Sequence, residues 1–429
     1  MFVRRIAVIG TGYVGLTTGT CLASLGHRVV CADVDAAKVA RLRRGEVDIL
    51  EPGLEELVAE NVLAGRLSFV LGGREAVADA EVVFLCVPTP MGEGGAADLA
   101  AVEAVIAEVG ELLPPGCVIV NKSTVPVGTA ARVSRMVGRE DISVVSNPEF
   151  LREGSAVSDF LNPDRIVVGA DAQNAAERVA ALYAKLGAPT VLTDAASAEL
   201  VKYAANCFLA MKLSYVNAVA ELCERLGADV LDVTEGIGYD RRIGQSFLSP
   251  GPGWGGSCLP KDTHALLQVS TAADFDFPLL RATIDTNTRQ QSRMVSKIAD
   301  AVGRPLDGAR ICVLGLTFKA GTDDLRDSPA LAVAELLRAA GAELTAYDPG
   351  IRGAVPGVTD AVTVVDDPYL AAKEASAIVV LTEWPEFRTL DWAQLADLVA
   401  QRVVVDTRNL LDFDVLRRGG FDVRGVGRL

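Results

Sequence analysis

Apolar positions along the chain fall into short β-type runs separated by stretches with helical spacing. The first run, residues 5–10, leads into Gly10-Thr11-Gly12-Tyr13-Val14-Gly15, after which apolar residues recur at helical spacing as far as Leu25. A second run, 28–33, ends in Asp33. Further strands are predicted at 81–87, 117–121 and 142–146, with alanine-rich helical stretches between them. This alternation predicts a parallel, doubly wound sheet.

A long helical pattern over 197–226 follows, and at 1.5 Å per residue it spans about 45 Å, enough to bridge two domains. A second helical stretch, 278–302, runs to a sharp break at 303–308. The opening pattern then returns, with strands predicted at 309–314, 343–348, 377–381 and 402–406 and a helix from Pro329. The expected architecture is α/β, with two Rossmann-like doubly wound parallel-sheet domains joined by a long central helix. The boundaries drawn are 1–196, 197–303 and 304–429.

Composition narrows the function. Half of the 429 residues are hydrophobic and 23% are charged, an ordinary globular balance. A net charge of −15 disfavours nucleic acid and anionic membranes as partners, so an anionic ligand needs local cations. No apolar run has the length of a membrane span, and Met1-Phe2-Val3-Arg4-Arg5 passes into a strand without a cleavage signal, so a cytoplasmic location is expected. Eight cysteines without a close CxxC pair, and only His27 and His264, argue against disulfides and against a metal site.

The glycine turn carries the first chemistry. Gly10 permits the tight turn, Gly12 lets backbone approach a pyrophosphate, and Gly15 lets helix pack on strand, with Tyr13 and Val14 between them. Asp33 ends the second strand at the distance expected of a ribose-binding carboxylate, which favours NAD over NADP. Lys38, one turn on, supports the adenosine side or is a solvated helix cation. Later strands end in Pro88-Thr89-Pro90, Lys122-Ser123-Thr124 and Asn147-Pro148-Glu149. Ligands bind at such carboxyl ends, so Thr89 and Thr124 are candidate contacts, with helix capping as the alternative. Glu149 and Glu153 share a face if their segment is helical and then suit acid–base work; otherwise they are solvated acids at a helix start.

Lys202 and Asn206 stand one turn apart among small apolar residues, where burial demands a partner such as an oxyanion. Seven cysteines lie in apolar runs. The eighth, Cys258, sits in Gly255-Gly256-Ser257-Cys258-Leu259-Pro260-Lys261-Asp262, which joins an approachable backbone to a cation and a carboxylate. That stretch alone also suits a structural turn cysteine. Ahead of it, a loop rich in proline and glycine around Phe247 and Leu248 is suited to covering a ligand. Lys319, Arg326 and Arg408 lie at or just after strand ends of the second sheet, where they suit a phosphate-bearing substrate or a solvated surface. The turn after Gly315 lacks GxGxxG, so no second dinucleotide is expected.

Taken together, Gly-Thr-Gly-Tyr-Val-Gly from Gly10, Val-Pro-Thr-Pro from Val87, Ser-Thr-Val-Pro-Val-Gly-Thr from Ser123, Asn-Pro-Glu-Phe-Leu-Arg-Glu-Gly from Asn147, Gly-Gly-Ser-Cys-Leu-Pro-Lys-Asp from Gly255 and Gly-Leu-Thr-Phe-Lys from Gly315 strongly resemble the nucleotide-sugar 6-dehydrogenases. The resemblance runs in family order to Arg408 with no broken position. It implies two successive oxidations of a sugar C6 alcohol to a carboxylate, using two NAD+ per substrate, through a thiohemiacetal and a thioester on Cys258. By resemblance, Lys202 and Asn206 stabilise oxyanions, Asp262 and Thr124 position or activate water, and Glu153 is the general base. Glu149, Phe150, Leu151, Arg152, Phe247, Leu248, Gly255, Phe318, Lys319 and Arg408 are expected to line the sugar-nucleotide site, with Lys202, Asn206 and, from a neighbouring subunit, Arg242. Thr89, Thr124, Glu153, Lys261 and Arg326 are expected at NAD. A homodimer or higher homo-oligomer built on the long helix is implied. The expected sugar is UDP-glucose, with GDP-mannose or a UDP-N-acetylhexosamine as the alternative. A catalytically silent NAD-binding sensor and a one-step hydroxyacid dehydrogenase are the remaining readings.

Overall fold

The computed structural model describes residues 3–428. It divides into two compact units, one running through Ala205 and including His264–Phe275, the other made of Asn206–Thr263 and the chain from Asp276 onward. The first unit holds an eight-stranded sheet of β1 (Arg5–Ile9), β2 (Arg28–Asp33), β3 (Leu67–Leu71), β4 (Val82–Leu85), β5 (Val118–Asn121), β6 (Ser143–Ser146), β7 (Ile166–Gly169) and β8 (Thr190–Thr193). Their spatial order is β3-β2-β1-β4-β5-β6-β7-β8, parallel except where β7 meets β6. The first six strands have the doubly wound order of a dinucleotide-binding fold, which reverses between β1 and β4.

Strands buried on both faces explain the near-continuous apolar runs. On β4, Val82 and Phe84 enter one core cluster while Val83 and Leu85 enter the other. Residues 147–154, where a helix would have put Glu149 and Glu153 on one face, are not helical; the chain turns there, and the next helix starts at Ala156. Pro148 disfavours helical backbone at the residue before it, and the Glu149 carboxylate accepts the Leu151 N–H at 2.6 Å in a local turn. Glu149 and Glu153 therefore share no helix face.

The second unit holds a six-stranded parallel sheet: β9 (Arg310–Leu314), β10 (Glu343–Tyr347), β11 (Thr363–Val364), β12 (Ala377–Val380), β13 (Val403–Asp406) and β14 (Asp422–Gly425). Their order, β11-β10-β9-β12-β13-β14, repeats the winding of the first sheet. Two long helices, Ala195–Leu226 and Pro278–Val302, contribute Val216, Ala220, Met294 and Ile298 to the core that also holds Val313, Val379 and Val405. No helix among the described residues is long and apolar enough to cross a membrane.

Candidate active site

In the first unit the glycine turn is shaped by close approach. Gly10 has φ +95°, and a Cβ on Gly15 would lie 1.9 Å from the Gly10 carbonyl oxygen. Gly12 instead faces open space, and the helix Tyr13–Ser24 that follows has no side-chain cap on its first N–H groups. Those donors and the helix dipole suit a pyrophosphate. Asp33 closes the turn, its Oδ2 accepting the Thr11 N–H at 3.0 Å and the Thr11 hydroxyl at 2.5 Å, with Lys38 Nζ 3.9 Å away. Burial pushes the Asp33 carboxyl up, yet the bonds from Thr11 and Asp35 and the Lys38 charge carry it below its ordinary value. An ionised carboxylate thus waits where a ribose hydroxyl would donate, so the turn fits NAD.

The neighbouring strand ends add polar groups. The Thr89 hydroxyl donates to the Thr124 carbonyl at 2.8 Å, so these two candidates meet in a buried position. Glu149 is buried and accepts from Lys202 Nζ at 2.9 Å. Burial raises the Glu149 carboxyl, but the charge and hydrogen bond of Lys202, the Leu151 N–H and Lys122 bring it below its ordinary value. Phe150 lies under the Arg165 guanidinium at 3.5 Å and near Lys202 at 5.4 Å. Leu151 packs against the core, and the exposed Arg152 guanidinium pairs with Asp159 at 2.6 Å. Glu153 lies instead on the nucleotide-turn side, where its charge helps to raise the Tyr13 phenol. The Tyr13 hydroxyl lies 2.7 Å from both Glu51 Oε2 and the Arg152 carbonyl. Glu51, which also accepts the Gly154 and Val157 N–H groups, is a support that the sequence reading missed.

In the second unit the thiol is the distinct cysteine. All eight cysteines are free; seven are buried and Cys258 is partly exposed. Its carbonyl accepts the Asp262 N–H at 2.9 Å, which puts the thiol at the start of the helix Leu259–Ala272, where the helix dipole favours negative charge. Asp262 is fully buried and accepts from Asn206 Nδ2 at 2.6 Å through one oxygen and from Lys261 Nζ at 2.6 Å through the other. Asn206, Lys261 and Asp262 therefore form one chain beside the thiol-bearing turn.

The loop before Cys258 is held by partners absent from the sequence reading. Trp254 exchanges backbone bonds with the Asn287 amide at 2.8 and 2.9 Å, and its indole donates to Ser214 Oγ at 2.9 Å. Gly251 is gripped by Asn217 and Gln290 at 2.9 and 2.7 Å. Amides at buried positions of the two long helices were the signal that could have found these anchors. Gly255 admits no side chain, since a Cβ would lie 2.0 Å from the Asp327 carbonyl, and Gly256 rests against the Phe318 ring. Arg408 donates to the Leu381 carbonyl at 2.8 Å and to the Phe318 carbonyl at 3.3 Å, and Lys319 Nζ is 5.5 Å from the Phe318 ring. Leu248 is buried, and Phe247 is held at φ +62°. Arg326 and Arg242 are exposed, and each forms a bidentate pair with a nearby aspartate, Asp324 and Asp240 respectively.

Three family models cover these elements in order. Residues 4–187 match the NAD binding domain of the UDP-glucose/GDP-mannose dehydrogenase family, 196–289 its central domain and 312–413 its UDP binding domain. The chain belongs to the UDP-glucose/GDP-mannose dehydrogenase family. It is 47% identical to a UDP-glucose 6-dehydrogenase of Rhizobium meliloti, over 99% of each chain. Among solved structures it resembles a UDP-glucose dehydrogenase of Pyrobaculum islandicum, with TM-score 0.90 and 38% identity over 100% of this chain and 98% of that one. A UDP-D-ManNAc dehydrogenase of Pyrococcus horikoshii aligns with TM-score 0.89 and 31% identity over 99% of both chains. As a member of the UDP-glucose/GDP-mannose dehydrogenase family the chain is an NAD-dependent dehydrogenase of a nucleotide sugar.

Proposed function

We propose that this enzyme oxidises UDP-glucose to UDP-glucuronate in two steps, with Cys258 as the covalent nucleophile. The observation that carries the reading is the partly exposed Cys258 beside the Asn206–Asp262–Lys261 chain, in a protein whose other seven cysteines are buried. A thiol so placed has no use in a single oxidation of an alcohol. When bound, NAD supplies the hydride acceptor for each oxidation.

The residues then divide the work. The C6 hydroxyl gives up its proton as the aldehyde forms, with Glu153 as the general base that the resemblance implies, while Glu149, bonded to Lys202, lines the sugar-nucleotide site. Cys258 Sγ then bonds to C6 and its proton leaves, giving a thiohemiacetal. Hydride loss from that adduct leaves a thioester. Water, positioned by Asp262 and Thr124, adds to C6, and the C–S bond breaks to return the thiol and a carboxylate. Lys202 and Asn206 donate to the C6 oxygen while it carries negative charge.

The same reading assigns Gly10, Gly12, Tyr13, Val14, Gly15, Asp33, Lys38, Thr89, Thr124, Glu153, Lys261 and Arg326 to NAD. Phe150, Leu151, Arg152, Phe247, Leu248, Gly255, Phe318, Lys319 and Arg408 hold the sugar nucleotide, and Arg242 acts in a neighbouring subunit. Residues 1–196 serve NAD, 197–303 assembly and the thiol loop, and 304–429 the uridine nucleotide. Leu200, Phe208, Tyr215, Leu222 and Leu226 form an exposed apolar row on the long helix, which supports a homodimer through that face. Eight free cysteines suit the reducing cytoplasm.

The test is NADH formed per sugar consumed, with UDP-glucose, GDP-mannose and a UDP-N-acetylhexosamine in parallel. Two per UDP-glucose is expected. One per UDP-glucose removes the role of the thiol, and two with another sugar alone moves the substrate.

A further inference from the structure

Within the first unit one buried carboxylate has no part in the reaction. Glu199 stands on the long helix Ala195–Leu226, three residues before Lys202, and is 3% exposed. Its Oε2 accepts the Gly128 N–H at 2.7 Å, and its Oε1 accepts the Ala130 N–H at 2.8 Å and the Ser146 hydroxyl at 3.0 Å. Gly128 and Ala130 open the helix Thr129–Val137, which has no side-chain cap of its own. Gly128, at φ +94°, has no side chain to offer, and the Thr129 hydroxyl donates instead to the Pro126 carbonyl at 2.6 Å. Such donors are ordinarily met by a serine or aspartate next to them in the chain. Here a residue 71 positions away meets them.

That distant bond ties together three pieces of the site. The segment between β5 and the helix Thr129–Val137 carries the buried Thr124. Its first residues hang from the neighbouring strand end, with the Ser123 hydroxyl donating to the Val87 carbonyl at 2.7 Å and the Thr89 hydroxyl to the Thr124 carbonyl at 2.8 Å. Its last residue, Gly128, hangs from Glu199. Ser146 ends β6, three residues before Glu149, so the long helix meets this strand end twice, through Glu199 and Ser146 and through Lys202 and Glu149 at 2.9 Å. Residues three apart on a helix are neighbours on one face. Glu199 thus joins the helix of Lys202 to the strand end that leads to Glu149 and to the loop of Thr124. All three of its partners are donors, so an amide in its place would turn its NH2 group on one of them. The N-terminal dipole of the helix Thr129–Val137 also favours the negative charge.

We propose that Glu199 is a positioning residue that sets the Thr124 loop against the helix of Lys202 for hydrolysis of the thioester. The inference rests on the role in water attack given to Thr124 under the proposed function.

The experiment is rapid-quench turnover of UDP-glucose by the full-length enzyme below its melting temperature, with the intact-protein mass read alongside NADH. In Glu199→Gln, steady uronate formation is expected to fall about 10- to 100-fold while KM for NAD and for UDP-glucose stays unchanged. A burst of NADH should come first, and the thioester should build up on the protein. Thr124→Val is expected to accumulate the same adduct. A carboxylate that only supports the fold gives another pattern: Glu199→Gln melts earlier, yet its folded fraction turns over at the wild-type rate without an adduct, and that overturns the inference. A slower rate without an adduct overturns it too, because the loss then lies in steps that Thr124 does not serve. If Glu199→Gln does not fold, Glu199→Asp, which keeps the charge and shortens the reach by one carbon, is held to the same accumulation. Thr124→Val separates the two ideas. An adduct there but not in the Glu199 variant defeats the inference about Glu199 alone, whereas no adduct in Thr124→Val defeats the assignment of Thr124 and the inference with it.

Discussion

The two sheets wind in the same order, and each opens with a strand, a left-handed glycine and a second strand with an aspartate at its carboxyl end. Gly10 and Gly315 have φ +95° and +94°, and Asp33 is the last residue of β2 while Asp348 directly follows β10. Beyond that point they diverge. The first chain enters its helix at Tyr13 and leaves Gly12 facing open space. The second runs on as a loop from Leu316 until its helix begins at Pro329, and that loop supplies Phe318 and Asp327 to the backing of the thiol turn. Asp348 is 2% exposed: its Oδ2 accepts the N–H groups of Leu316 and Thr317 at 2.6 and 2.8 Å, and its Oδ1 accepts the Gly350 N–H at 2.7 Å. The Trp384 indole donates to the same Oδ2 at 3.3 Å. Asp33 keeps acceptor capacity toward a ligand and Asp348 spends its own on the fold, so equal topology yields one dinucleotide turn and one structural turn.

Four experiments bear on that comparison, taken from the largest expected effect. Cys258→Ser, at the thiol turn backed by the second sheet's loop, should still bind NAD and sugar nucleotide but lose acid formation by more than about 10³-fold. Uronate made at the wild-type rate would falsify the thioester route. Asp348→Ala strands several buried donors and should lower stability by about 3 kcal/mol, read as an early melt with KM for NAD unchanged in the folded fraction. Asp33→Ala should do the reverse, raising KM for NAD about 10- to 100-fold with little change in Tm. If Asp348→Ala weakened NAD and Asp33→Ala melted the fold, the contrast would be inverted.

The smallest effect is the pH dependence of stability. The Asp33 carboxyl lies below its ordinary value in the fold, so its contribution is present above the unfolded value near pH 4 and fades as pH falls through the folded one. Lys122 has the same sign higher up. Between its folded value of about 8 and its ordinary 10.5 the unfolded chain binds more protons, so stability rises with pH over that window and should flatten in Lys122→Met. Urea unfolding of both variants across pH 3 to 11 checks each slope.

Nine of the fourteen strands, both long helices and the glycine turn were legible because each rests on short-range pattern: a period of two or 3.6, a glycine where φ is positive, an acid at a strand end; β3, β7, β8, β11 and β14 were not read. Residues 278–302 were read with the bounds that the structure gives. Whether 147–154 is helical was left open by the sequence, and the Glu149–Leu151 bond, which competes with helix, decides it as a turn. Cys258 stood out by the chemistry of its neighbours, and its exposure matches that reading.

Sequence by itself thus determined most of the strands and both long helices, where a phosphate-binding turn lies and which thiol differs from the rest. Tertiary structure alone decided that Glu149 pairs with Lys202, that Asn147 links Lys122 to Tyr183, that Asn287 and Ser214 hold Trp254, and that Asp348 is spent where Asp33 is not. The physical reason is range. Periodicity and turn preference act between residues a few positions apart, whereas a buried polar group must find its partner across tens of residues, and which partner it finds is set by the packing of whole elements.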